Sequence, residues 1–323
     1  MAESIPGGAR ERFVETNGLR MRILEQGCGF PVVLCHGFPE IADSWRRQLP
    51  ALAAAGFRAI APDQRGFGGT SRPEPVEAYD IEHLTGDLAG LLDALDLERA
   101  VFVGHDWGGI VAWQMPFLHP ERTAGVIGVN TPAMRRPPVP PTEAFKRIFG
   151  ENHYIVHFQK PGEADAGLAR DVRRTMTNFL RSPVSREEMA RHAFRPDGSI
   201  RNMVDLIESD DPPGKPLLSP EDLEVYVAAW TRSGFTGGIN WYRNFDRNWH
   251  LTAAFDGRTI DVPSLMITAE LDPVLSPPLA EPMRGFVPDL EMHCIAGCGH
   301  WTTHEAPDEL NRLMVDWLSR RFG

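Results

Sequence analysis

The short β-branched run Val101-Phe102-Val103 ends directly in Gly104-His105-Asp106-Trp107-Gly108-Gly109. This is the pattern of a nucleophile elbow, G-x-Nuc-x-G. A sharp turn between strand and helix lifts one side chain above the end of the strand. Such a turn belongs in an open α/β sheet, where ligands bind beyond the C-terminal ends of the strands. In this chain the lifted side chain is an aspartate where a serine is usual. That exchange decides the chemistry, because a carboxylate and a hydroxyl attack different bonds. The helix behind Asp106 offers backbone N–H groups and a positive dipole end, which favour an ionised carboxylate.

The surrounding sequence agrees with an α/β fold. Strand-like runs occur at 31–35, 58–61, 101–103, 125–129, 264–268 and 291–295. Between them lies a helical stretch at 80–95, with Ile81, Leu84, Leu88, Leu91, Leu92 and Leu95 on one face. A closing helix carries Leu310, Leu313, Met314, Trp317 and Leu318 at helical spacing. Strands alternating with helices predict parallel βαβ units. The pattern breaks at the proline-rich junction 135–141, and the next hundred or so residues are mostly helix-like. One helix there, 221–230, is entered through a Ser219 N-cap with Pro220 at its first position. The expected organisation is a core in two parts, 1–132 and 251–323, with a helical cap at 133–250. Pro116, inside the helix after the elbow, is expected to kink it.

Composition narrows the function classes. A formal net charge of -11 over 323 residues argues against nucleic acid or an anionic membrane as partner. Residues 1–12 carry no signal-peptide pattern, and no apolar run reaches the length of a bilayer span, so a cytoplasmic protein is expected. Four cysteines, Cys28, Cys35, Cys294 and Cys298, are too few for a disulfide scaffold and are expected reduced and buried. Cys294, Cys298, His300 and His304 lie close in sequence, but no second ligand pair with zinc spacing accompanies them. No metal and no organic cofactor is expected.

A carboxylate nucleophile needs a base to complete a reaction. In enzymes with this elbow the order is nucleophile, acid, histidine. Asp272 follows the run 265–268, and His300 follows the last strand in Gly297-Cys298-Gly299-His300-Trp301. Glu270 competes for the acid role, and Asp272 is preferred because it lies further past the strand. His304, Asp308 and Glu309 read as surface or helix-start residues. An oxyanion hole needs two backbone N–H groups. Phe38, in His36-Gly37-Phe38-Pro39 after a strand, and Trp107, after the nucleophile, are placed to supply them. His36 reads as structural. Phe38 and Trp107 are also candidates for the substrate-pocket wall.

Three segments together carry a resemblance: Phe38-Pro39-Glu40, Asp63-Gln64-Arg65-Gly66-Phe67-Gly68 and Gly104-His105-Asp106-Trp107-Gly108-Gly109. They resemble the epoxide hydrolases of the α/β-hydrolase fold. Segment 153–162, with Tyr154, and segment 240–244, with Tyr242, resemble the two cap segments that carry epoxide-binding tyrosines in that family. The chain has four tyrosines, and two fall in these segments. The resemblance implies a mostly parallel sheet flanked by helices, with an inserted helical cap. It implies a small epoxide and water as partners, and a vicinal diol as product. Asp106 is the implied nucleophile, His300 the base, Asp272 its orienting acid, and Tyr154 and Tyr242 the donors to the epoxide oxygen. A haloalkane dehalogenase resembles the chain in its aspartate and following tryptophan, but usually has Asn where Phe38 stands and relies on no tyrosine pair. A non-catalytic receptor on the same fold needs none of the five residues together.

Overall fold

The computed structural model describes residues 8–195 and 197–323. Residues 1–7, part of the stretch read for targeting, lie outside them. Eight strands form one sheet: β1 (Arg10–Thr16), β2 (Leu19–Gln26), β3 (Phe30–Cys35), β4 (Phe57–Pro62), β5 (Ala100–His105), β6 (Thr123–Val129), β7 (Ser264–Ala269) and β8 (Leu290–Ile295). Their spatial order is β1-β2-β4-β3-β5-β6-β7-β8. The β1–β2 and β2–β4 pairs are antiparallel and the remainder are parallel.

The first two strands are absent from the sequence reading. Their sequences, RERFVET and LRMRILEQ, mix charged residues into the apolar alternation. β1 is the edge strand of the sheet, where charge is tolerated, and β2 lies between it and β4. Asn17-Gly18, both at positive φ, turns the hairpin between them.

The parallel strands sort their side chains by period two, and both faces are covered. Val33, Phe102 and Met266 point to one side, where Leu84, Leu88, Leu91 and Leu92 of helix Ile81–Ala94 pack with Val111 and Met115. Val32, Leu34, Val101, Val103, Leu265 and Ile267 point to the other. There they meet Leu49 and Leu52 of helix Gln48–Ala54 and Leu310, Met314 and Trp317 of helix Pro307–Phe322. Each fully buried Leu on these helices contributes about 1.5–3 kcal/mol relative to exposure.

Chain order and spatial order diverge around β3. The chain runs from β3 outward to β4, then returns to place β5 on the other flank of β3. That reversal is a topological switch point, where the loops leaving adjacent strands diverge and open a crevice. Phe38 leaves β3 and Asp106 leaves β5 at this position.

Between β6 and β7 the described residues form helices and no strand, apart from two isolated bridges. Helix Pro220–Ser233 starts where expected, with the Ser219 side chain accepting the Asp222 N–H. The inserted helices are tied to the sheet loops by buried indoles: Trp230 Nε1 donates to Pro39 O, and Trp241 Nε1 to Arg65 O, both at 3.0 Å. Pro116 lies in the last turn of helix Trp107–Leu118, where His119 N still reaches Met115 O at 2.8 Å. The missing N–H therefore costs a bond at the end remote from the elbow.

Candidate active site

Asp106 has φ 50° and ψ −122°, a left-handed backbone on a residue with a Cβ. Such strain costs roughly 1–3 kcal/mol and persists only where the surroundings enforce it. The enforcing contacts are at the two glycines. A Cβ on Gly104 would lie 2.1 Å from Gly108 O, and one on Gly108 2.0 Å from Cys35 O. The strand-to-helix turn closes only because both positions lack a side chain.

The turned-up carboxylate meets two backbone donors. Phe38 N donates to Asp106 Oδ1 at 2.8 Å, and the Trp107 N–H also bonds the carboxylate. Burial pushes the Asp106 carboxyl up from its ordinary range, while His300, His105 and these two N–H groups act against it. Thr131 Oγ1 donates to the Asp106 carbonyl at 2.8 Å and braces the turn from β6.

His300 Nε2 lies 3.8 Å from Asp106 Oδ2. Its Nδ1 lies 2.9 Å from Asp272 Oδ2. Asp272 is held on every side: Asn130 Nδ2 donates to Oδ2 at 2.7 Å, and the N–H groups of Val274 and Leu275 donate to Oδ1 at 2.8 and 2.9 Å. Although burial opposes it, His300 and these donors hold the Asp272 carboxyl well below the usual range. For His300, burial works against the charge, but Asp272, Asp106 and Glu40 together raise it to about 9. Glu270 instead accepts the Gly297 N–H at 2.8 Å, so the structure brings Asp272 and not Glu270 to the histidine.

The two cap-segment tyrosines come together from separate helices, Tyr154–His157 and Thr236–Arg243. Their ring centroids are 5.8 Å apart. Gln159 ties the two segments, donating to Ile155 O and Tyr242 O, each at 2.9 Å. The Tyr242 ring stands edge-on to Phe38 at 5.6 Å and Trp107 at 5.1 Å, which sets it over the elbow. Burial and the nearby Asp106 charge push both phenols above their ordinary range, so both are neutral donors near pH 7. Trp107 also lines a cavity of about 190 Å³ on its flank toward Phe245 and the 132–137 junction.

Three contributors escaped the sequence reading. Glu40 and His105 form a fully buried pair, with His105 Nδ1 2.7 Å from Glu40 Oε2. The other nitrogen, Nε2, is 2.7 Å from the His300 carbonyl. Both partners are acceptors, so His105 carries both protons, and its charge offsets burial to hold Glu40 at about 2. Glu40 Oε2 also accepts the Gly37 N–H at 3.0 Å, which fixes the loop bearing Phe38. Asn130, at φ 62° just past β6, is the third, joining Asp272, the Gly299 carbonyl and Thr302. An Asn or Glu beside a strand end is the signal such residues leave, but their partners are remote in sequence.

His36 is buried, with Nδ1 2.9 Å from Gly37 O and Nε2 accepting the Gln64 N–H at 3.0 Å. His304 is a correction: it is buried, not on the surface. It lies 3.3 Å from Tyr226 Oη, and burial lowers it to about 4. The turn that carries it, Thr302–Glu305, buries Thr302, Thr303 and His304, with His304 Nε2 3.9 Å from Glu40 Oε1. Asp308 and Glu309 are exposed in the first turn of the closing helix. All four cysteines are free, but only Cys35 and Cys298 are buried; Cys28, in the turn between β2 and β3, and Cys294, on the edge strand β8, are exposed. No group of three or more metal-ligating side chains occurs among the described residues, and none of their helices is long and apolar enough to cross a membrane.

A left-handed acidic elbow at the switch point, with an acid and a histidine from later strand ends, is the arrangement of an α/β hydrolase. The α/β-hydrolase fold family matches residues 31–307. The chain is 50% identical to epoxide hydrolase A of Mycobacterium tuberculosis, over 97% of this chain and 98% of that one. It is 42% identical to bifunctional epoxide hydrolase 2 of Sus scrofa, over 93% of this chain, and spans 53% of that longer protein. The crystal structure of epoxide hydrolase A from Mycobacterium thermoresistibile superposes with a TM-score of 0.89 at 44% identity, covering 96% of this chain and 98% of that one. The chain belongs to the epoxide hydrolases of the α/β-hydrolase family.

Proposed function

We propose that this protein hydrolyses small epoxides to vicinal diols in two steps, with Asp106 as nucleophile. The observation that carries this reading is the placement of two neutral tyrosines over a carboxylate nucleophile. Ring opening releases an alkoxide, which is too basic to leave without a proton donor. Halide departure needs no such donor, so the pair Tyr154–Tyr242 favours an epoxide over a haloalkane.

In the first step an Asp106 oxygen bonds an epoxide carbon, the C–O bond breaks, and Tyr154 or Tyr242 protonates the released oxygen. The carboxylate has become an ester and one tyrosine a phenolate. In the second step His300, oriented by Asp272, removes a proton from water as the water attacks the ester carbonyl. The N–H groups of Phe38 and Trp107, bonded to the resting carboxylate, hold the tetrahedral oxyanion. Collapse frees the diol and restores Asp106, and the proton released overall returns to the tyrosine. Every group that these steps use is a side chain or amide of this chain.

The same reading assigns 1–132 and 251–323 to the core and 133–250 to a cap whose two tyrosines close over the elbow. The change from strands to helices after β6, and the return at β7, support those boundaries. Four unbridged cysteines support a reducing, cytoplasmic setting.

Single turnover of an aryl epoxide in labelled water tests the ester route. The label is expected in the Asp106 carboxylate, with unlabelled oxygen in the first diol released. Label appearing directly in the diol would mean that water attacks the epoxide and the ester route is wrong.

A further inference from the structure

His300 sits on a loop whose position relative to Asp106 decides whether water can be activated over an ester. The resting Nε2–Oδ2 distance of 3.8 Å is longer than a hydrogen bond, so the loop's placement sets the gap. Beside the Asn130 bond to the Gly299 carbonyl, the backbone around His300 is held by His105 and Glu305 at three further points. His105 Nε2 bonds the His300 carbonyl at 2.7 Å. The other two points are the amides on either side, and one side chain takes both. Gly299 N donates to Glu305 Oε2 and Trp301 N to Glu305 Oε1, each at 2.8 Å.

A carboxylate bridging the N–H groups of the Cys298–Gly299 and His300–Trp301 peptides clamps the loop on both sides of the Gly299–His300 peptide, whose carbonyl accepts from Asn130 Nδ2 at 3.2 Å. With that peptide held by Asn130 and the next by Glu305, the direction in which the His300 Cβ leaves the chain is restricted. Glu305 reaches back from the short helix Thr302–Glu305 to do this, and its carboxylate is half-buried against the loop. The groups acting on its charge are burial, the two amides, His300 and Asp272. Its place is therefore within the His300 loop and not on the solvent face.

We propose that Glu305 is a positioning residue for the second half of the reaction: it aims His300 at the water over the Asp106 ester. This rests on the two-step reading given above. The first half uses groups held by other parts of the fold: Asp106 on the β5 elbow, Phe38 after β3, and the tyrosines on the inserted helices. Loss of the Glu305 grip therefore slows ester hydrolysis and spares ester formation.

The test is single-turnover kinetics on the intact enzyme with an aryl epoxide, following ester formation and decay by rapid quench and intact-protein mass. Glu305→Gln keeps the shape but replaces one acceptor oxygen by an NH₂ that opposes an amide N–H. Ester formation is expected within about 2-fold of wild type, and ester decay ~10- to 100-fold slower, the scale of a misplacement near 1 Å. Glu305→Asp retains the charge and recovers part of the decay rate, while Glu305→Ala gives at least the Gln defect. Wild-type decay in a folded Glu305→Gln enzyme, or equal slowing of both steps, overturns the proposal. Failure of the two-step reading looks different: no adduct then forms in any variant, including His300→Gln.

Discussion

The strand ends and the inserted helices both deliver functional side chains, but they do so by different physics. Asp106, Asp272 and His300 are each placed by the backbone that leaves a parallel strand. Close contacts, a left-handed φ and charge-assisted hydrogen bonds then lock them. Tyr154 and Tyr242 are placed by aromatic packing, with rings edge-on to one another and to Phe38, Phe158 and Trp107. The sheet provides charges that must not move. The helices provide neutral hydroxyls whose position follows the packing of their aromatic rings.

The sharpest way to break this division is at the sheet. Asp106→Asn removes the attacking oxygen's charge while keeping the acceptor for Phe38 N. Diol formation is expected to fall on the order of 10⁵-fold, as when a covalent nucleophile is lost, with thermal stability little changed. A variant that retains even a hundredth of wild-type turnover would show that Asp106 is not the nucleophile. His300→Gln comes next, with steady-state turnover lower by ~10⁴-fold. Here the first step survives, so intact-protein mass spectrometry should show the enzyme plus one substrate. A folded, substrate-binding variant without that adduct would place His300 in the first step instead.

The helical side of the comparison predicts a smaller and shared effect. Tyr154→Phe and Tyr242→Phe each leave one donor over the elbow, so each alone is expected to cost about 10-fold in the rate of ring opening. The double variant loses the proton donor altogether and should fall by ~10³-fold, within the usual range for general acid catalysis. Rapid-quench measurement of ester formation separates this from effects on the second step. If both single variants match the double, the tyrosines act as a chain through one donor and not as two alternatives.

How much of this was legible in the sequence follows the same division. The elbow, Asp272 and His300 could be found because each is encoded locally, by an apolar run, a glycine-bearing turn and a place in the strand order. The tyrosines are proposed from the resemblance, since nothing in a short helical segment marks a ring that packs on Phe38 and Trp107. The Glu40–His105 pair was missed because its members are 65 residues apart and meet only when β3 and β5 pair. Asn130 acts through a positive φ that sequence does not display. β1 and β2 were missed because an antiparallel edge needs only a weak apolar alternation, which their arginines and glutamates obscure.

The smallest effect concerns pH and distinguishes the two steps within the sheet's own site. Attack requires ionised Asp106, and burial raises that carboxyl, so ester formation should be lost on the acid side above the ordinary carboxylate range. Water activation requires neutral His300. In the resting enzyme the histidine is raised to about 9, against the pull of burial, with Asp272, Asp106 and Glu40 as the charges responsible. A raised pKa means that the proton is held longer as pH increases. Forming the ester cancels the Asp106 charge, so one of the three supports disappears and the His300 pKa falls below its resting value. Decay of the trapped ester should therefore accelerate by about 10-fold per pH unit on the acid side of that lower pKa, then level off. Quenching the ester at a series of pH values and measuring diol release reads this directly. Decay that is flat from pH 6 to 9, a range bracketing the usual and raised histidine values, would mean that His300 does not take the water's proton. A midpoint that stays at the resting value would mean instead that Asp106 and His300 are less strongly coupled than their 3.8 Å separation indicates.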